Sequence, residues 1–222
     1  MDKNIVAIIQ ARTGSTRLPN KINLDLWGKT VLQRVVSRVS KSRHLETVVL
    51  AMPNTIMDSR TLREMDTPGY LGRENDVLNR YWKCACQFNA DIIVRITADC
   101  PLIDPHIIDR TIGFFLNRDY DYVSNRLERP GYPDGQDVEV FRMEALDLAE
   151  DFARDKSDRE HVTPYIKRNL RCGALHSYSD FMDVRMTLDT WQDYHHLREV
   201  VGKLIEKHGE MVWNLKEIME VI

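Results

Sequence analysis

"NIVAIIQARTGSTRLPNK", residues 4–21, joins an unbroken apolar run (5–9) to a loop with one glycine, three hydroxyl residues and three cations, Arg12, Arg17 and Lys21. Apolar side chains on successive residues, stopped at once by loop chemistry, predict a strand buried on both faces. Runs of the same kind recur at 47–52, 92–97, 122–124, 138–141 and 184–188. Between them the apolar period changes to that of a helix. Leu32, Val35, Val36 and Val39 share one face of 31–39, and Leu78, Tyr81, Trp82 and Ala85 one face of 77–88. Segments 107–116, 143–154 and 197–205 read likewise. Strands alternating with helices predict an α/β domain whose sheet is parallel and covered on both sides.

At 222 residues and 43% hydrophobic, the chain suits a single domain, 1–222. Residues 126–136 (RLERPGYPDGQ) hold two prolines and two glycines, so 126–141 is expected to form a small lobe beside the sheet. A net charge of −3 gives no basis for a nucleic-acid or membrane surface. The first apolar run is too short for a signal peptide or a span. Cys84, Cys86, Cys100 and Cys172 read as reduced thiols of a cytoplasmic protein. Cys84 and Cys86 diverge on a helix and suit no shared metal.

In an open α/β sheet, ligands bind beyond the carboxyl ends of the strands, where the loop 10–21 falls. It is no Walker loop, because no Gly-Lys-Ser/Thr follows, and it lacks the glycines of a dinucleotide fingerprint. It offers Gly14 for close backbone approach, Ser15 and Thr16 as donors, and Arg12, Arg17 and Lys21 as cations. Gln10, Ala11 and Thr97 stand at the strand ends beside it. This is the chemistry of a polyphosphate site, stiffened by Pro19. On the same rim Asp99 closes the run 92–97, and Asp189 closes 184–188. Acids opposite cations there could hold Mg²⁺ on a phosphate. Each also has a plainer reading as a turn or helix-capping residue.

QARTGSTRLPNK (10–21) resembles the signature Ala-Arg-x-x-Ser-x-Arg-Leu-Pro-x-Lys of cytidylyltransferases that activate acidic sugars, in particular the spore-coat polysaccharide type. GRENDVLNRY (72–81), RITADCPLIDP (95–105), YPDGQDVEVF (132–141), REHVTPYI (159–166) and LDTWQDYHHL (188–197) extend the likeness along nearly the whole chain. The resemblance implies a Rossmann-like, three-layer nucleotide-diphospho-sugar transferase fold with a mixed sheet, Mg²⁺ as cofactor, and a homodimer. It implies that Arg12 and Lys21 bind phosphate, that Asp99 and Asp189 bind metal, and that Asp76 lies beside the nucleotide. The sequence departs from the sialic-acid enzymes at Thr187, where they tend to carry a further acid.

The reaction so implied moves CMP from CTP to an acidic sugar and releases pyrophosphate, with Arg12, Lys21 and Asp99 catalytic. The acceptor is expected against Tyr132, Asp134, Asp137 and Glu139, with Arg159 and His161 at the opening of a helix available to an acidic sugar's carboxylate. The same loop would serve another nucleoside triphosphate or a phosphorylated non-sugar acceptor. A nucleotide-binding protein without turnover is the reading from a different class. His195 and His196 read as exposed helix residues. Trp191, Trp213, Leu215, Ile218 and Val221 would either cap the core or form a dimer face.

Overall fold

The computed structural model describes residues 3–128 and 131–222. Among the described residues seven strands form one sheet: β1 (Ile5–Gln10), β2 (Thr47–Pro53), β3 (Gly69–Gly72), β4 (Ile92–Thr97), β5 (Tyr122–Ser124), β6 (Glu139–Arg142) and β7 (Cys172–Ala174). Their order is β3-β2-β1-β4-β6-β5-β7. The first four are mutually parallel, and β6 runs antiparallel to both β4 and β5. The sheet is therefore mixed, as the resemblance implies and strand composition alone does not.

The strands β1, β2 and β4 bury both faces because the period-2 alternation feeds two cores. Ala7, Ile9, Leu50, Val94 and Ile96 pack beneath α1 (Val31–Val39) and α4 (Pro105–Leu116). Val6, Ile8, Val49, Ala51 and Ile93 pack beneath α3 (Val77–Gln87) and α5 (Met143–Phe152). A third cluster gathers α8 (Trp191–His208) against Leu18, Leu26, Leu102 and Leu188. Trp213 and Ile218 are buried in it and Leu215 and Val221 pack on it, so these close the core, whereas Trp191 is exposed.

The expected strand at 184–188 is extended but belongs to no ladder. Its main chain bonds instead to the loop before β6, Asp134 N–H to Val184 O at 2.9 Å and Met186 N–H to Asp134 O at 2.7 Å. That loop does not stand apart as a lobe over its described part. Tyr132 and Val138 lie in the main core. Gly135, at φ 99°, presses its main chain onto Met186, where an added Cβ would stand 2.8 Å from the carbonyl carbon. All four cysteines are free; Cys84 is buried and Cys86 exposed, as their divergence on α3 requires.

Candidate active site

The register of β1 and β4 sets Gln10 beside Thr97, so the two strands end flush. A cleft of about 380 Å³ opens there. It is lined by Gln10, Ala11, Arg12, Ser15, Thr16, Arg17 and Lys21 from the end of β1 and the loop after it, by Thr97 and Asp99 at the end of β4, and by His161 and Asp189. The sequence thus brings most of the expected nucleotide-binding set together, from segments more than 150 residues apart.

Lys21 begins a 3-10 turn (Lys21–Asn23) and is 9% exposed. Its ammonium donates to Asp99 Oδ2 at 3.0 Å, Asp189 Oδ1 at 2.9 Å and the Leu188 carbonyl at 2.6 Å. Both carboxylates therefore converge on one nitrogen. Asp189 also meets Arg17 at 3.1 Å and Arg185 at 2.8 Å. Burial opposes its ionisation, but the Lys21 hydrogen bond and charge, with Arg185 and Arg17, outweigh burial and hold the carboxyl below its usual range. Asp189 does not cap α8. Thr190 does, in a capping box with Asp193, whose carboxylate also takes the Asp189 N–H at 2.9 Å. Helix capping so positions Asp189 and leaves its side chain for the cleft. Asp99 is likewise not a cap; Asp104 starts α4.

Arg12 is exposed at the cleft and makes no hydrogen bond or ion pair among the described residues. Arg80, overlooked in the sequence, also lines the cleft while 1% exposed. It donates through Nη1 to the Arg73 and Glu74 carbonyls, and its Nε has no partner. Burial pushes its pKa down. The missed signal is an arginine on the otherwise apolar face Val77–Leu78–Tyr81–Cys84 of α3.

Asp58 was overlooked too. It sits in α2 (Ile56–Glu64), is 2% exposed, and accepts from Thr55 Oγ1 at 2.6 Å and from the Thr13 N–H at 2.7 Å. One carboxylate thus pins the phosphate-type loop to α2. Asp58→Ala is expected to cost about 1–3 kcal/mol in urea unfolding, because Thr13 N–H loses its buried acceptor, and to raise the KM for nucleotide about tenfold. An unchanged KM in a destabilised variant would show that the loop needs no such anchor.

Several expected contacts are corrected by the geometry. Gly14 is outside the cleft lining and has no positive φ; an added Cβ would meet nothing nearer than Glu74 Oε1 at 3.8 Å. Asp76 caps α3 and holds Arg159 in a two-bonded fork at 2.9 and 2.7 Å, with Glu150 completing the cage. Asp76 and Arg159 thus meet each other, and neither lines the cleft. Arg159 and His161 end α6 (Lys156–His161) and do not open a helix. Tyr132 is 1% exposed, inside the core. Glu139 is 6% exposed, bonded by Arg95, Tyr122, Thr163 and Lys167. Burial on every side removes both from a sugar-binding surface.

Asp134 and Asp137 do not line the cleft but adjoin it through charges. Arg185 links Asp189 to Asp134, and Arg126 lies 2.8 Å from Asp137. Thr187, at the departure from the sialic-acid pattern, donates to Asp134 at 3.1 Å. Burial pushes the Asp137 carboxyl up to about 6, more than Arg126 lowers it. Against about 3.9 when unfolded, its raised pKa favours the fold fully below pH 4, and that advantage disappears as pH rises through 6. Asp137→Asn is therefore expected to be near neutral at pH 4 and to stabilise by about 1 kcal/mol at pH 8, solvent screening included. Equal effects at both pH values in thermal melts would refute this.

Asp99 and Asp189 are hard oxygen donors. Among the described residues no third His, Cys, Asp or Glu joins them in a metal-binding group. That donor set fits a divalent cation of the Mg²⁺ kind, held by one or two carboxylates and completed by water and phosphate.

A mixed α/β sheet with a cation-bearing loop after its first strand, and with Asp99 and Asp189 converging on Lys21 of that loop, places the chain among nucleotidyltransferases of the nucleotide-diphospho-sugar transferase fold. The chain belongs to the cytidylyltransferase family, whose model matches residues 6–221. It is 33% identical over 216 residues to an uncharacterised protein of Methanocaldococcus jannaschii, covering 94% of this chain and 85% of that one. It is 32% identical over 222 residues to the spore coat polysaccharide biosynthesis protein SpsF of Bacillus subtilis, covering 93% and 88%. The solved structure of a cytidylyltransferase from Leptospira borgpetersenii serovar Hardjo-bovis matches all of this chain and 94% of its own, with a TM-score of 0.91 and 31% identity. No helix among the described residues is long and apolar enough to cross a membrane.

Proposed function

We propose that the protein transfers CMP from CTP to an acidic sugar, releasing pyrophosphate, for a surface or coat polysaccharide. The observation that carries this is the cleft at Gln10 and Thr97, lined by Arg12 and Arg80, which pair with no acid among the described residues, and by Lys21, held by Asp99 and Asp189. The family supports cytidine as the base, and the likeness to the spore coat protein supports the polysaccharide setting.

Phosphoryl transfer asks the protein for alignment and charge compensation. Arg12 and Lys21 hold the outer phosphates, and Lys21 exchanges its carboxylate partners for phosphate oxygens when nucleotide enters. An acceptor hydroxyl oxygen bonds to the α-phosphorus as the bond from that phosphorus to the oxygen bridging the β-phosphate breaks; the hydroxyl proton passes to water, and the cations offset charge on the departing pyrophosphate. The cleft lining also carries four carboxylates, Glu74, Asp99, Glu160 and Asp189, which would repel a polyphosphate. Asp99 and Asp189 would hold a divalent cation of the Mg²⁺ kind, which would supply the compensating charge. His161, and Arg17 at the rim, are placed to meet the acceptor's carboxylate.

The test is pyrophosphate release with each nucleoside triphosphate, Mg²⁺ or Mn²⁺, and a panel of acidic sugars and sugar phosphates, products read by mass spectrometry. A CMP-sugar acid is expected. Preference for UTP or GTP, or for a phosphorylated non-sugar acceptor, would overturn the reading. Homodimerisation belongs to the same proposal; light scattering should give the mass of two chains, and a monomer at micromolar concentration would refute it.

A further inference from the structure

We propose that the buried pair Arg95–Glu139 orients Gln10 so that its side-chain amide donates a hydrogen bond to the nucleotide in the cleft. The inference rests on the nucleotidyl-transfer reading above and adds to it a ligand contact and the residues that set it.

Arg95 lies on β4 opposite Ile8 of β1 and opposite Glu139 of β6. Gln10 is two residues beyond Ile8, so its side chain shares the face with Arg95. Arg95 Nη2 donates to Gln10 Oε1 at 3.0 Å. A guanidinium has only donors, so the oxygen of the Gln10 amide has to face inward and the NH₂ outward. Gln10 lines the cleft, and that NH₂ makes no hydrogen bond among the described residues. The outcome is a donor aimed at substrate, suited to a phosphate oxygen or to an acceptor on the nucleoside.

Arg95 is held in turn. Its Nη1 donates to Glu139 Oε2, while Glu139 Oε1 accepts from Tyr122 Oη at 2.6 Å, Lys167 Nζ at 2.7 Å and Thr163 Oγ1 at 3.0 Å. Only 16% of the Arg95 side chain and 8% of that of Glu139 is exposed. Burial opposes ionisation of Glu139, but Arg95 and Lys167 outweigh burial and hold its carboxyl at about 2. Three donors on Oε1 fix the Glu139 carboxylate, Oε2 holds Arg95 Nη1, and Nη2 of the same guanidinium reaches Gln10. Glu139 is thus a positioning residue, acting through Arg95.

Calorimetric titration of CTP into the wild type, Gln10→Ala, Glu139→Gln and the double variant tests this. Each single change is expected to weaken binding about tenfold and the double change no further, because both act on one contact. Tyr122→Phe removes another bond to the same carboxylate but leaves the Arg95 bridge, and should stay within about twofold of wild type. Additive losses, or a Tyr122→Phe loss equal to that of Glu139→Gln, would overturn the proposal. Inorganic triphosphate in place of CTP identifies the acceptor: a Gln10→Ala effect retained there assigns phosphate, and one seen only with CTP assigns the nucleoside. Should Glu139→Gln not fold, side-chain amide relaxation of Gln10 in the wild type decides, with a rigid amide expected and a freely rotating one contrary. A wild type that binds no nucleoside triphosphate sinks the functional reading itself, whereas binding with additive losses sinks this inference alone.

Discussion

Lys21→Met lowers turnover by about 10²–10³-fold and at the same time raises the affinity of the nucleotide-free protein for Mn²⁺. The two effects come from one geometry. The ammonium is the point where Asp99 and Asp189 converge, each within 3.0 Å. Without it, two carboxylates face each other across a cleft that already carries Glu74 and Glu160, and a divalent cation relieves the repulsion. Arg17 and Arg185 still hold Asp189, so the loss of stability is expected to be about 1–3 kcal/mol, below that of a fully buried broken pair. Lys21→Arg should not rescue turnover. The three acceptors surround a compact ammonium, and a planar fork cannot take their places. Pyrophosphate release and titration with Mn²⁺ measure the two halves. Turnover near wild type, or unaltered Mn²⁺ affinity, would refute the shared-cation geometry.

Asp99→Asn is the second large effect. The amide keeps the shape and an oxygen for Lys21, so the fold should lose no more than about 1 kcal/mol. Turnover with saturating metal should fall about 10²–10³-fold, since a neutral amide is a poor partner for a hard cation. In a chelator, the same variant should bind CTP more tightly than wild type, because one of four cleft carboxylates no longer repels phosphate. A role in folding alone predicts neither result. Full activity in Asp99→Asn would remove Asp99 from the metal-binding pair.

The strands that build the rim were legible because their apolar runs are long and end abruptly. β1, β2 and β4 follow the sequence to within a residue at each end. β3 and β7 were not legible: Gly69–Gly72 and Cys172–Ala174 are short edge strands containing glycine, ordered by their neighbours. α2 escaped notice because Ile56 and Met57 point to solvent and its buried residues are Asp58 and Thr61. The run 184–188 has strand composition, yet its hydrogen bonds go to the loop at Asp134. Composition does not say which partner an extended segment meets.

What the sequence by itself determined was the cationic loop at the end of the first strand, the acids at 99 and 189, and the family. Those features are local, and local chemistry survives in a string of letters. Only the tertiary structure decided that Tyr132 lies in the core, that Asp76 and Arg159 pair with each other, that Glu139 holds Arg95, and that Asp58 and Arg80 serve the cleft. Burial and pairing depend on segments far apart in the chain, so a carboxylate or guanidinium reads the same whether it faces a substrate or a neighbouring helix.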